Sequence, residues 1–112
     1  MLYYDYMDKF SAIAEPTRRR MIELLARQGP LSARDISDQF TVSPPAISQH
    51  LKVLRETNLV RMEKKAQQRI YRINPEAFRE VEEWALQMTR LWTQRFDALD
   101  RILQVEKQQN LK

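Results

Sequence analysis

Between Pro16 and Leu59 apolar residues return every three or four positions, and each run ends at a residue suited to stopping it. Met21, Ile22, Leu24 and Leu25 make the apolar face of a helix that starts at Pro16. Gly29 and Pro30 stop it, glycine because it accepts the left-handed turn after a helix and proline because it cannot extend one. Ser32 and Asp35 stand at capping spacing ahead of Ile36 and Phe40, which predicts a second, short helix, and Thr41 and Val42 lead directly to Ser43. Ser43 is a good N-cap, and Pro44 and Pro45 then fill the first two helical positions, where a missing N–H breaks no bond. At about 100° per residue, Ile47, Leu51 and Leu54 share one stripe. Pro45, Gln49, Lys52 and Glu56 lie opposite, flanked by Ser48 and Arg55. The pattern over about residues 32–57 is therefore helix, tight turn, helix, with an outward polar face on the second. Upstream, Phe10, Ile13 and Ala14 have helical spacing and predict a first helix near residues 5–14.

After Asn58 the period changes. Leu59 to Lys64 and Arg69 to Ile73 are runs with β-branched or aromatic members, separated by Lys65, Ala66, Gln67 and Gln68. They predict a β-hairpin over about residues 59–74. Asn74 and Pro75 then cap and start a long helix over about residues 75–107. Phe78, Val81, Ala85, Met88, Trp92, Leu99 and Ile102 follow a three-four repeat along it, widened by Trp84, Leu91, Phe96 and Leu103. A helix of about 30 residues spans roughly 45 Å, more than a small core covers. Its apolar face calls for a second chain, the alternative being a core helix with a frayed end.

The chain has 112 residues, 43% hydrophobic and 30% charged, which fits one compact domain. The formal charge of +4 suits a nucleic-acid partner without requiring one. With no cysteine, disulfides, thiolate metal sites and cysteine nucleophiles are excluded. No basic region followed by an apolar run opens the chain, and no apolar run approaches bilayer length, so no membrane association and a cytoplasmic location are expected.

The polar face of the helix that Ser43 caps carries the candidate chemistry. Ser43 and Pro44 would stand at a groove entrance, with Ser48, Gln49 and Lys52 placed to read base edges, since glutamine pairs bidentately with adenine. Arg61, Lys64, Lys65, Arg69 and Arg72 on the hairpin, with Arg34 on the preceding helix, would meet the phosphate backbone. The plainer reading of those hairpin cations is a solvated edge protected from strand addition. Arg18, Arg19 and Arg20 open a helix where the dipole disfavours cations. They either approach DNA or pair with Glu15, Glu23 or the acidic part of the last helix. His50, the one histidine, lies beside the apolar stripe as a packing or phosphate-contacting residue. No nucleophile, base and acid set or phosphate-cradling glycine loop is present, so no catalytic residue, enzyme activity or cofactor is expected.

From Phe10 to about Leu103 the sequence resembles the ArsR family of winged helix-turn-helix repressors. The resemblance rests on Glu15 to Leu25 (EPTRRRMIELL), Leu31 to Phe40, Ser43 to Val60 and Arg69 to Asn74 (RIYRIN). It implies a mainly α fold with a small β-hairpin as wing, and long first and last helices for dimerisation. It further implies a homodimer that binds an inverted-repeat, double-stranded DNA operator and represses transcription, often of its own operon. Phe10, Ile13, Met88, Trp92 and Leu99 are the expected dimerisation residues. Two features depart from the family. The wing tip, Lys65 to Arg69, has no glycine, and the positions of the thiolate sensors' cysteines are Ser32, Ala33 and Arg34. The last helix offers only carboxylates, a poor transition-metal set, so no metal site is expected. The residues name no effector: a small molecule in the dimer cleft, a partner protein or falling concentration would each relieve repression. A protein-docking module without DNA binding is the competing function, and it should expose aromatics on the outward face.

Overall fold

The computed structural model describes residues 8–110. Its elements are α1 (Lys9–Ala14), α2 (Pro16–Gln28), β1 (Leu31–Ser32), α3 (Ala33–Asp38), α4 (Pro44–Glu56), β2 (Val60–Lys65), β3 (Gln68–Ile73) and α5 (Pro75–Asn110). The architecture is mainly α with a small antiparallel sheet, as the hydrophobic pattern predicted. Residues 5–7 of the expected first helix lie outside the described residues, and α5 runs three residues beyond the expected end. Two compact units divide the chain, Met1–Arg79 and Glu80–Lys112.

Each of the first four helices begins on a side-chain oxygen that accepts a backbone N–H three residues on. Asp8 accepts from Ser11 at 2.8 Å, Glu15 from Arg18 at 2.8 Å, Ser32 from Asp35 at 3.0 Å and Ser43 from Ala46 at 3.3 Å. One such cap contributes about 1 kcal/mol. Gly29 ends α2 at φ 81°, its N–H donating to the Leu25 carbonyl at 2.9 Å. At the end of α4 the left-handed position is held by Asn58 at φ 64°, a residue that tolerates it. There Leu59 N–H donates to Leu54 O and Asn58 N–H to Arg55 O, the paired bonds of a Schellman motif. Leu54 and Leu59, which flank this turn, are both fully buried. Asn74 ties the turn to the start of α5: its Nδ2 donates to the Asn58 carbonyl at 2.8 Å and its N–H to that of Leu59 at 3.0 Å.

The core of the first unit joins Met21 and Leu25 of α2, Ile36 of α3, Leu51 and Leu54 of α4, and Leu59 and Val60 at the start of the wing. Each such side chain contributes about 1.5–3 kcal/mol by leaving water. The stripe expected on α4 is therefore inward, and Val53 widens it.

The sheet has the order β1-β3-β2, with every pairing antiparallel. Its first strand was not foreseen, because two residues carry no period; Leu31 pairs with Tyr71 and Ser32 with Ile70. The wing turn also differs from the expected four-residue loop. Lys65 pairs with Gln68, so only Ala66 and Gln67 make the connection. Ala66 supplies the positive φ, 56°, that a two-residue hairpin turn demands and that glycine ordinarily provides.

In the second unit every described residue is helical. Trp84, Met88, Leu91, Trp92, Phe96, Leu99, Ile102 and Leu103 stay exposed along it, with Trp92 62% and Phe96 56% open. Those two rings meet edge to face with centroids 5.3 Å apart, the spacing that residues four apart on a helix allow.

Candidate nucleic-acid interface

Pro44, Ser48, Gln49 and Lys52 of α4, Arg34 of α3 and Arg69 of β3 line one groove of the winged unit. Ile47 and Leu51 form its floor, so the inward stripe that fixes α4 also fixes what the outward face presents. Ser48, Gln49 and Lys52 are exposed. Ser43 is exposed at the head of the helix, its Oγ engaged in capping rather than lining the groove. Arg55 and Glu56, from the flank and the outward face of α4, also line it, together with Asp38 and Tyr71, which the sequence pattern does not place there. Arg55 could have been found from its flanking position on α4; Tyr71 needed the strand register.

The hairpin cations do not act as one set. Lys64 pairs with Arg69 and Met62 with Tyr71, so Lys64 and Arg69 stand on the face that carries Tyr71. Alternation puts Arg61, Lys65 and Arg72 on the opposite face, and of the five only Arg69 lines the groove. The several cations expected to meet the phosphate backbone are thus divided between the two faces of the hairpin by its two-residue period.

Two of the three arginines of α2, Arg18 and Arg19, donate to backbone carbonyls, a role neither expectation named. Arg18 donates from Nε to the Ala12 carbonyl at 2.9 Å and from Nη2 to that of Ser11 at 3.4 Å, and Arg19 donates to that of Ile13 at 3.4 Å. They cap the carbonyl end of α1, where a cation is favoured, and this offsets their unfavourable position at the start of α2. Arg18 also reaches His50 of α4, Nη1 to Nδ1 at 3.3 Å. Glu15 Oε2 lies 3.8 Å from the same nitrogen. Burial alone would raise the Glu15 carboxyl, but the N–H groups of Arg18 and Thr17 and the charges of His50 and Arg18 bring it below its usual range. Arg18 thus links α1, α2 and α4, the last through His50.

Among the expected pairing residues, Ile13 is half-buried against the winged core while Phe10 is mainly exposed. Met88, Trp92 and Leu99 are exposed on the second unit. Among the described residues no three metal-binding side chains stand together, and no helix is long and apolar enough to cross a membrane.

The sequence profile of the bacterial regulatory proteins of the arsR family matches residues 15–62, from the Glu15 cap through α4 into the wing. The chain is 35% identical to the transcriptional repressor SdpR of Bacillus subtilis over 77 residues, 69% of this chain and 84% of that protein. It is 32% identical to an HTH-type transcriptional regulator of Mycobacterium tuberculosis over 97 residues, 87% of each. Among solved structures, an ArsR-like transcriptional regulator from Rhodococcus superposes with a TM-score of 0.72 at 26% identity, over 83% of this chain and 87% of that one. The groove, the capped helix that lines it and the wing beside it are thus those of a known class, and the chain belongs to the ArsR family of winged helix-turn-helix transcriptional regulators.

Proposed function

We propose that the protein is a homodimeric repressor that reads an inverted-repeat DNA operator with α4. The observation that carries this reading is the groove, in which Ser48, Gln49 and Lys52 are presented between Arg34 and Arg69 on a helix fixed at both ends. Base edges are read by Ser48, Gln49 and Lys52, with Ser43 and Pro44 at the entrance. Backbone phosphates are met by Arg34, Arg69, Lys64 and, from the hairpin tip, Lys65. A docking module would expose aromatics on this face, yet the aromatic ring lining the groove, Tyr71, is buried.

Dimerisation supplies the second half-site. The exposed apolar stripe of α5, with Met88, Trp92 and Leu99 at its centre, pairs with the same stripe of a second copy, and Phe10 contributes from α1. Left in water, so large an apolar face would be an aggregation liability. Fragments of the host genome, beginning with the region upstream of the protein's own gene, should shift in a gel at low salt. Specific fragments should stay bound when salt is raised to a level that releases the rest. Equal loss of all fragments would reject sequence-specific reading.

A further inference from the structure

Alternation along the wing leaves one group of cations that the groove does not use. Arg61 and Arg72 are direct cross-strand partners, and like charges so placed destabilise a ladder. With Arg55 from the last turn of α4 they line a hollow whose other walls are Asn58, Val60, Met62 and Glu63. Three guanidiniums and one carboxylate give it a formal excess of two positive charges. Arg61 has only a loose ion pair with Glu76 at 4.0 Å, both side chains exposed. Among the described residues, Arg55 and Arg72 have no side-chain hydrogen bond or ion pair.

We propose that Arg55, Arg61 and Arg72 form a binding site for a phosphate dianion. A guanidinium presents a planar fork of donors matched to phosphoryl oxygens, and a phosphate monoester carries about −1.5 to −2 charge at neutral pH. The match to the hollow's excess charge favours a small phosphorylated molecule over a backbone phosphodiester, which carries a single negative charge. Arg55 lines both the hollow and the DNA groove. A phosphate in the hollow therefore draws Arg55 away from the groove and weakens DNA binding. That consequence rests on the DNA-binding reading above, whereas the site itself does not.

The full chain, labelled at its arginine side chains, is titrated with inorganic phosphate at ionic strength held constant with chloride. Saturable shifts at Arg55, Arg61 and Arg72 that chloride does not reproduce are expected, lost in Arg72→Gln and weakened in Arg72→Lys. Far-UV dichroism confirms that these surface variants fold. No saturable shift, or one unchanged in Arg72→Gln, overturns the site. Saturating phosphate should lower operator affinity about tenfold, roughly the loss of one phosphate contact, and Arg72→Gln should be insensitive to it. If phosphate binds and operator affinity does not change, the coupling through Arg55 is wrong. If Arg72→Gln lowers the salt slope of DNA binding by about 1 while phosphate produces no shift, the arginines meet the DNA backbone and the dianion site is rejected. Phosphate binding by a protein that shifts no DNA fragment would retain the site and remove the DNA-binding reading.

Discussion

Trp92→Ala tests the link between the long helix and DNA affinity. A tryptophan side chain presents about 150–250 Å², and Trp92 is 62% exposed, so about 130 Å² of it waits to be covered. At ~25 cal/mol per Å² that is ~3 kcal/mol for each subunit, and a two-fold pair changes both at once. If half of the resulting ~6 kcal/mol is realised, dimerisation weakens by ~3 kcal/mol and its Kd rises about 100-fold. The substitution also removes the edge contact with Phe96. Trp92 lies outside the winged core, so that unit should keep its fold and its groove. Two recognition helices must sit about 34 Å apart to enter successive major grooves, and a lone module holds DNA weakly. Sedimentation velocity should therefore show a shift toward monomer at micromolar concentration. Fluorescence anisotropy should show weaker operator binding with the same order of base preference. A Trp92→Ala protein that remains dimeric at submicromolar concentration and binds operator normally would refute both the pairing surface and its role in affinity.

Gln49→Ala should cost about 1–3 kcal/mol and relax preference at one operator position; uniform weakening across sequences, in competition binding, would reassign Gln49 to the backbone. Arg69→Gln should lower specific and non-specific binding alike and reduce the salt slope by about 1, with an unchanged slope removing the groove face of the wing from the interface. Ala66→Gly should raise stability by about 0.5–1 kcal/mol, the relief of a left-handed alanine less the entropy of glycine; a lower melting temperature would count against this turn. Glu15 is depressed in the folded state, so it adds stability above its ordinary value of 4.5, lost as pH falls through the folded value. Thermal melts from neutral pH to pH 3 should show a flatter acid limb for Glu15→Gln, and parallel limbs would rule out that contribution.

The sequence determined the helical elements because their signals are local. Ser32 and Ser43 cap within three residues, Pro44 and Pro45 are tolerated in a helix only at its first turn, and Gly29 fits the φ of 81° it adopts. Periodicity likewise fixed which face of α4 turns inward, since Ile47, Leu51 and Leu54 leave Gln49 and Lys52 no other direction. Tertiary structure decided what depends on register and on partners distant in sequence. The strand at Leu31–Ser32 exists because β3 offers it a ladder, and no period can show that over two residues. The same pairing shortened the wing turn to Ala66 and Gln67 and split the hairpin cations between two faces, because shifting register by one residue turns a side chain over. Arg18 read from sequence as a cation at the wrong end of a helix. In the fold it caps the other end of a different helix and touches His50, 32 residues away. A side chain's charge and size are written in the sequence, but the acceptor it meets is set only when the chain closes on itself.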